Sequence, residues 1–159
     1  MKKLFSLGGL TLLIILAITT LSTGQPDQTA NAVIRDKFAG AWRLVWLEEP
    51  EADGKIHKAD CTGLLVYTRD GRMSVQVMYR NPQGGTGTAP VQYAQGGYEA
   101  SFGRYEINDT QTFTFHVEGA LVRTLIGKDL KRVYELNGNQ LIVKSPDPKE
   151  HWRVAWERD

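Results

Sequence analysis

The sequence is poor in the residues that build cross-linked or metal-bound domains, because it has one cysteine and three histidines among its 159 residues. Cys61 alone forms neither an internal disulfide nor a cysteine-rich zinc site. An excess charge of either sign is also absent: residues 33–159 carry equal numbers of basic and acidic side chains, since the preceding segment holds Lys2, Lys3 and Asp27. Without a basic cluster, nucleic acid is disfavoured as a partner.

The only long apolar run lies at the N-terminus, where two lysines precede a stretch that is densest from Leu10 to Leu21. A basic start, an apolar stretch and a polar tail are typical of a secretory signal peptide. We assign the signal peptide to residues 1–32 and the exported domain to residues 33–159. The domain is predicted to be periplasmic or extracellular.

The cleavage site has two candidates, after Gly24 and after Ala32, because small residues occupy the required positions at both. The alternative is an uncleaved membrane anchor, since the run approaches the ~20 residues that span a bilayer. Membrane contact is expected only if this segment is retained.

Beyond residue 33 no helical periodicity is sustained, and short runs rich in β-branched and aromatic residues alternate with turn residues. A short helical turn at Ala32–Phe38 is expected first. The turns include Asp70-Gly71 and Asn137-Gly138, and for the latter we expect a type I′ hairpin. Eight runs are predicted as strands: 41–48, 62–69, 72–79, 100–107, 111–118, 129–136, 139–145 and 151–157.

Consecutive strands joined by tight turns pair antiparallel, so the predicted fold is all-β, a single eight-stranded up-and-down barrel. Closure removes two exposed sheet edges, and the interior is then wide enough for packed side chains or one small ligand. A two-sheet sandwich is the alternative. The glycine-rich segment Asn81–Gly97 is predicted either to cover the barrel mouth or to be disordered.

Several segments resemble one known family. Gly40-Ala41-Trp42 is similar to the Gly-x-Trp with which lipocalins close one end of their barrel. Further segments, taken with it, resemble the lipocalin-like domain family of bacteria and fungi from Phe38 to about Glu157. The resemblance implies an eight-stranded barrel with an internal cavity, in a family whose members mostly have no assigned activity. The segments are Gly63–Val75, Phe102–Ile107, His116–Gly119 and Arg132–Leu136.

Arg132 is the most informative polar residue, because alternation places it on the apolar face of its strand with Leu130, Tyr134 and Leu136. A buried guanidinium requires an acid, a carbonyl group, an aromatic face or a ligand as partner. Arg132 and Tyr134 are predicted to present a guanidinium and a hydroxyl to a ligand carboxylate. The alternative is that Arg132 packs over Trp42 at the closed end, as a late-strand arginine does in lipocalins.

Other side chains complete the predicted ligand site. His116 is opposite two phenylalanines in the alternation, so it faces either solvent or the cavity, depending on which face turns inward. Trp42 and Trp46 are four residues apart and are expected on one face of their strand. The remaining predicted ligand residues are Met73, Val75, Tyr67 and Tyr105.

No catalytic residue, cofactor or metal site is predicted, because no nucleophile motif or cluster of metal ligands is visible. We therefore predict an exported lipocalin-like protein that binds a small hydrophobic ligand, with or without an acidic group, in the barrel cavity. One alternative is a cavity enzyme, an isomerase, cyclase or hydrolase of a small hydrophobic substrate. The other is an envelope structural or interaction protein with a filled barrel.

Overall fold

The computed structural model describes residues 28–51, 53–81 and 97–158. The predicted cleavage point after Gly24 and most of the segment expected at the barrel mouth lie outside these residues. Within the described ranges, no helix is both long and apolar enough to cross a membrane.

In the described part of the chain, one α-helix precedes nine strands. Helix α1 spans Gln28–Phe38, so the predicted helical turn is confirmed and starts earlier than expected, and a short 3-10 helix covers Arg123–Leu125. The strands are β1 (Gly40–Pro50), β2 (Ile56–Lys58), β3 (Cys61–Tyr67), β4 (Arg72–Tyr79), β5 (Tyr98–Ile107), β6 (Thr112–Ala120), β7 (Asp129–Asn137), β8 (Gln140–Lys144) and β9 (Arg153–Glu157).

The predicted eight-stranded barrel is confirmed. β1 pairs antiparallel with β3 on one side and with β9 on the other, and β3 to β9 are neighbours in chain order. This closure excludes the open sandwich. The short strand β2 was not predicted; it pairs with the last residues of β1, where Glu48 lies opposite Lys58.

The turn between β7 and β8 differs from the prediction. Its loop residues are Gly138 and Asn139, which lie between the paired residues Asn137 and Gln140. Gly138 has a φ of 60°, and Asn139 does not have a positive φ. A type I′ turn needs positive φ at both central residues, so the predicted turn type is wrong; glycine at the first central position is the pattern of type II′.

Helix α1 closes one end of the barrel with an aromatic cluster. The ring of Phe38 lies among those of Tyr67, Tyr105, Phe113 and Tyr134, at centroid distances between 4.9 and 6.1 Å. All five side chains are buried. Tilted and edge-on ring pairs of this kind stabilise a core beyond the area they bury.

Trp42 completes the closed end. Its Nε1 donates a hydrogen bond to the carbonyl oxygen of Phe38 at 2.8 Å. The guanidinium of Arg158 lies 4.6 Å from the Trp42 ring centroid and donates to the carbonyl oxygen of Ala39 at 3.1 Å. The alternative in which Arg132 packs over Trp42 is therefore wrong. Arg158 packs over this ring instead, because it follows β9, the partner of β1.

An irregularity in β1 changes which residues face inward. The pairing of β1 with β9 shifts register between Leu44 and Trp46. Trp42 is therefore inside the barrel, whereas Trp46 lies outside, with Lys58 and Arg153 over its ring at 5.7 and 5.4 Å. The prediction that both tryptophans share one face is wrong, because an extra residue in a strand reverses the alternation that follows it.

Strands β5 and β6 approach each other so closely at Gly103 that adding one methyl group there should destabilise the fold. A Cβ atom at Gly103 would collide with the backbone carbonyl oxygen of His116 on the neighbouring strand. We expect Gly103→Ala to lower the free energy of unfolding by about 3 kcal/mol, measured by urea denaturation.

Gly119→Ala is the matched control, because the atoms nearest to a Cβ atom there belong to the ring of Phe102, a side chain that is 55% exposed and able to rotate. Its free energy of unfolding should change by less than about 1 kcal/mol. Equal losses in the two variants would contradict this account of the β5–β6 contact.

Candidate ligand-binding cavity

The half of the barrel away from α1 encloses a cavity of about 520 Å³. Tyr67 and Phe113 belong both to the aromatic cluster and to the cavity wall, so they form its floor. Such a volume lies in the usual range for small-molecule sites. The wall above the floor is mainly apolar and includes Leu47, Leu65, Val77, Phe115, Val143 and Val154.

The connection 145–152, between β8 and β9, forms part of the cavity mouth. Lys149, Glu150, His151 and Trp152 from this connection all contribute to the lining. The Trp152 indole nitrogen donates to Glu150 Oε2 at 3.1 Å, which links the two side chains. The mouth thus combines an aromatic face with charges of both signs.

Arg132 enters the cavity from the middle of β7. Its guanidinium carbon lies 5.2 Å from the Trp152 ring centroid, and its Nη1 donates to the carbonyl oxygen of Lys131 at 3.0 Å. Burial lowers the pKa of Arg132, and the acidic groups of Glu150, Tyr67 and Glu99 oppose this shift. No carboxylate among the described residues forms an ion pair with it, so donors of the guanidinium remain for a ligand.

A buried carboxyl group faces the same cavity. Glu99 is only 7% exposed, and its Oε1 accepts a hydrogen bond from Ser101 Oγ at 2.7 Å. Its Oε2 is buried and has no hydrogen-bond partner within the described part of the chain. Burial raises the pKa of Glu99 above its usual 4.5, although the Ser101 hydrogen bond and the charge of Arg132 oppose part of the rise.

The hydroxyl of Tyr67 is the polar group at the cavity floor. It is buried and, across the described ranges, has no hydrogen-bond partner. Burial raises its pKa, so the group stays protonated and can donate a hydrogen bond. Two polar atoms without partners in one apolar cavity are unusual, because most buried polar groups in proteins are hydrogen-bonded.

The structure brings together four of the residues predicted to bind ligand. Arg132, Tyr67, Met73 and Val75 all line the cavity. Strand alternation placed Arg132, Met73 and Val75 on inward faces, because no register shift interrupts β4 or β7 at these positions. Tyr67 was named as a candidate without an argument from alternation.

Three other predicted residues lie in the closed end and do not line the cavity. Tyr134 donates to the carbonyl oxygen of Asp109 at 3.1 Å, Tyr105 donates to that of Thr68 at 2.9 Å, and Trp42 packs as described above. The expected pairing of Arg132 with Tyr134 toward one carboxylate is therefore absent, because the two side chains share a face but lie at different depths.

His116 lies on the outer surface. Its Nδ1 is 2.7 Å from Asp129 Oδ1, while the neighbouring Phe115 faces the cavity. Of the two orientations left open by the sequence, the structure has the solvent-facing one. His116 is therefore not positioned for acid–base chemistry on a ligand inside the barrel.

Several cavity residues escaped the sequence analysis, among them the polar residues Glu99 and Ser101. These two share a strand face with Tyr105 and Ile107, and this alternation could have placed them inside. The apolar Phe102 favours the opposite assignment, but it is exposed. Trp152, which was predicted within the last strand, precedes β9 and lines the cavity together with Trp156.

The thiol of Cys61 is buried. Burial raises the pKa of the Cys61 thiol to about 11, which keeps it protonated and unreactive. Over the same part of the chain there is no group of three or more His, Cys, Asp or Glu side chains that could hold a metal ion.

The position of Glu99 predicts a pH-dependent stability. Because its pKa is raised in the folded state, Glu99 contributes stability below pH 4.5 that is lost as the pH rises through the folded-state pKa. Thermal unfolding should therefore show that the melting temperature of Glu99→Gln, relative to that of the wild type, increases as the pH rises above 4.5. Glu106→Gln, an exposed position on the same strand, serves as the control; an identical pH profile for both variants would contradict the prediction.

Comparison with known proteins identifies one family for this chain. A search of curated proteins finds no match. Among solved structures, a redesigned beta barrel is 10% identical, with a TM-score of 0.42; the match covers 79% of this chain and 94% of that chain. A family model described as the lipocalin-like domain matches residues 39–158. This match confirms the resemblance noted in the sequence, and the chain belongs to the lipocalin-like domain family, whose barrel fold suits ligand binding.

Proposed function

We propose that this protein binds a small amphipathic molecule, an apolar body carrying an acidic group, in the barrel cavity. The cavity volume of about 520 Å³ supports binding over a barrel filled by its own side chains. Each methylene group buried against the apolar wall contributes about 0.8 kcal/mol to affinity. The wall therefore favours the apolar body, and the polar groups fix its orientation.

The main support for the proposal is that Arg132 forms no ion pair with a carboxylate among the described residues. A guanidinium in an apolar cavity is unfavourable unless charged or polar partners surround it. Arg132 has the face of Trp152 and one backbone carbonyl, while Glu150 and Glu99 act on it without forming an ion pair. A ligand carboxylate would supply the missing partner through paired charge-assisted hydrogen bonds.

This role predicts a charge-selective loss in Arg132→Ala. Dodecanoate should bind at least about tenfold more weakly to the variant than to the wild type, because a hydrogen-bonded charge pair is lost. Methyl dodecanoate, which has no charge, should change much less. Both are measured by quenching of tryptophan fluorescence, since Trp152 and Trp156 line the cavity.

Arg153→Ala is the matched control, because Arg153 also stacks on a tryptophan, Trp46, but outside the barrel. Its affinities for both probes should equal those of the wild type. If Arg132→Ala weakens acid and ester alike, Arg132 packs against Trp152 and does not anchor a ligand.

Export of the domain is a second part of the proposal. The N-terminal apolar run supports secretion, and helix α1 supports cleavage after Gly24 over cleavage after Ala32. Asn31 Nδ2 donates to the carbonyl oxygen of Ile107 at 3.1 Å, and the later cleavage would remove both this bond and the start of α1.

We therefore expect the mature protein to begin at Gln25. Mass spectrometry of the intact protein, purified from its own host, measures this directly. A mature chain that begins at Val33 would reject the cleavage site, and a full-length chain in the membrane fraction would support the retained anchor.

A further inference from the structure

The cavity wall contains a second polar group, the carboxyl of Glu99, which a simple fatty acid bound to Arg132 would leave without a hydrogen-bond partner. Glu99 is 7% exposed, and Ser101 holds its Oε1 at 2.7 Å. This hydrogen bond orients the carboxyl group of a side chain that lines the cavity, and Oε2 stays buried without a partner among the described residues.

A purely apolar ligand would leave this oxygen unsatisfied. Oε2 is shielded from water in the ligand-free cavity, and within the described part of the chain it has no hydrogen-bond partner. A buried polar atom without a hydrogen bond is unfavourable by a free energy comparable to a lost hydrogen bond, and a ligand group that pairs with it recovers that free energy on binding. The preferred ligand should therefore bring a polar group of its own to the Glu99 carboxyl.

We propose that Glu99 is a specificity-determining residue that accepts or shares a hydrogen bond with a ligand hydroxyl, so that the cavity selects hydroxylated acids over plain fatty acids. This inference rests on the proposed function, because Arg132 is taken to hold the carboxylate. A hydroxyl suits Glu99 in either protonation state, since it both donates and accepts hydrogen bonds. An amine would require the charged form.

The hydroxyl should lie near the carboxylate of the ligand. Arg132 and Glu99 line the same cavity of about 520 Å³, so both lie within reach of one small ligand. Burial favours the protonated form of Glu99, which reduces its repulsion of a ligand carboxylate at Arg132. A 3-hydroxy acid brings both groups within reach, whereas a hydroxyl at the far end of the chain does not.

Three probes test this selection: dodecanoate, 3-hydroxydodecanoate and 12-hydroxydodecanoate, titrated against the full domain and followed by tryptophan fluorescence. Wild-type protein should bind 3-hydroxydodecanoate at least about tenfold more tightly than dodecanoate. The 12-hydroxy isomer should show no such gain. The preference should disappear in Glu99→Leu and persist in Glu99→Gln, whose amide oxygen still accepts a hydrogen bond.

Glu106→Leu is the control for a leucine on the same strand, because Glu106 faces outward, and its preference should match the wild type. Equal wild-type affinity for 3-hydroxydodecanoate and dodecanoate overturns the inference while leaving acid binding intact. A preference that survives in Glu99→Leu overturns the role of Glu99. If none of the three acids binds, the proposed function itself fails.

Discussion

The hollow interior depends on the aromatic cluster around Phe38. Helix α1 delivers this ring into one end of the barrel, where it contacts Tyr67 and Tyr134, each at a centroid distance of 4.9 Å. An eight-stranded barrel is narrow enough for side chains to fill it completely. Here five large rings fill the closed end, whereas the other half is lined by aliphatic side chains together with Phe115, Trp152 and Trp156, and a cavity remains there.

The same cluster explains why one tyrosine faces the cavity with its hydroxyl unpaired. Tyr105 and Tyr134 direct their hydroxyls to loop carbonyl groups at the closed end, which ties the turns to the core and satisfies the phenol. The hydroxyl of Tyr67 makes no such bond to any described residue. Burying this group and Glu99 Oε2 without partners in the described part of the chain opposes folding, and such departures from good core design concentrate at functional sites.

The sequence predicted the parts of the fold that depend on local alternation. The strands, their order and the inward positions of Arg132 and Met73 follow from alternation and turn residues alone. Three features depend on long-range contacts and could not be predicted: the register shift beside Trp46, the stacking of Arg158 on Trp42, and the depth difference that separates Tyr134 from Arg132. The alternation of residues along a strand tells which face a side chain is on. Its depth along the barrel axis also depends on how neighbouring strands are staggered.

The proposed anchor for an acidic ligand comes from two parts of the chain. Arg132 comes from the middle of a strand, and the connection 145–152 brings Trp152 and Glu150 to it. The indole face accommodates the cation without neutralising it, whereas an ion pair with Glu150 would compete with a ligand carboxylate for the same donors. Because Glu150 is instead hydrogen-bonded to the Trp152 indole nitrogen at 3.1 Å, the mouth connection keeps the guanidinium in place and leaves it available. Ligand affinity should therefore depend on the order of this connection as much as on the barrel wall.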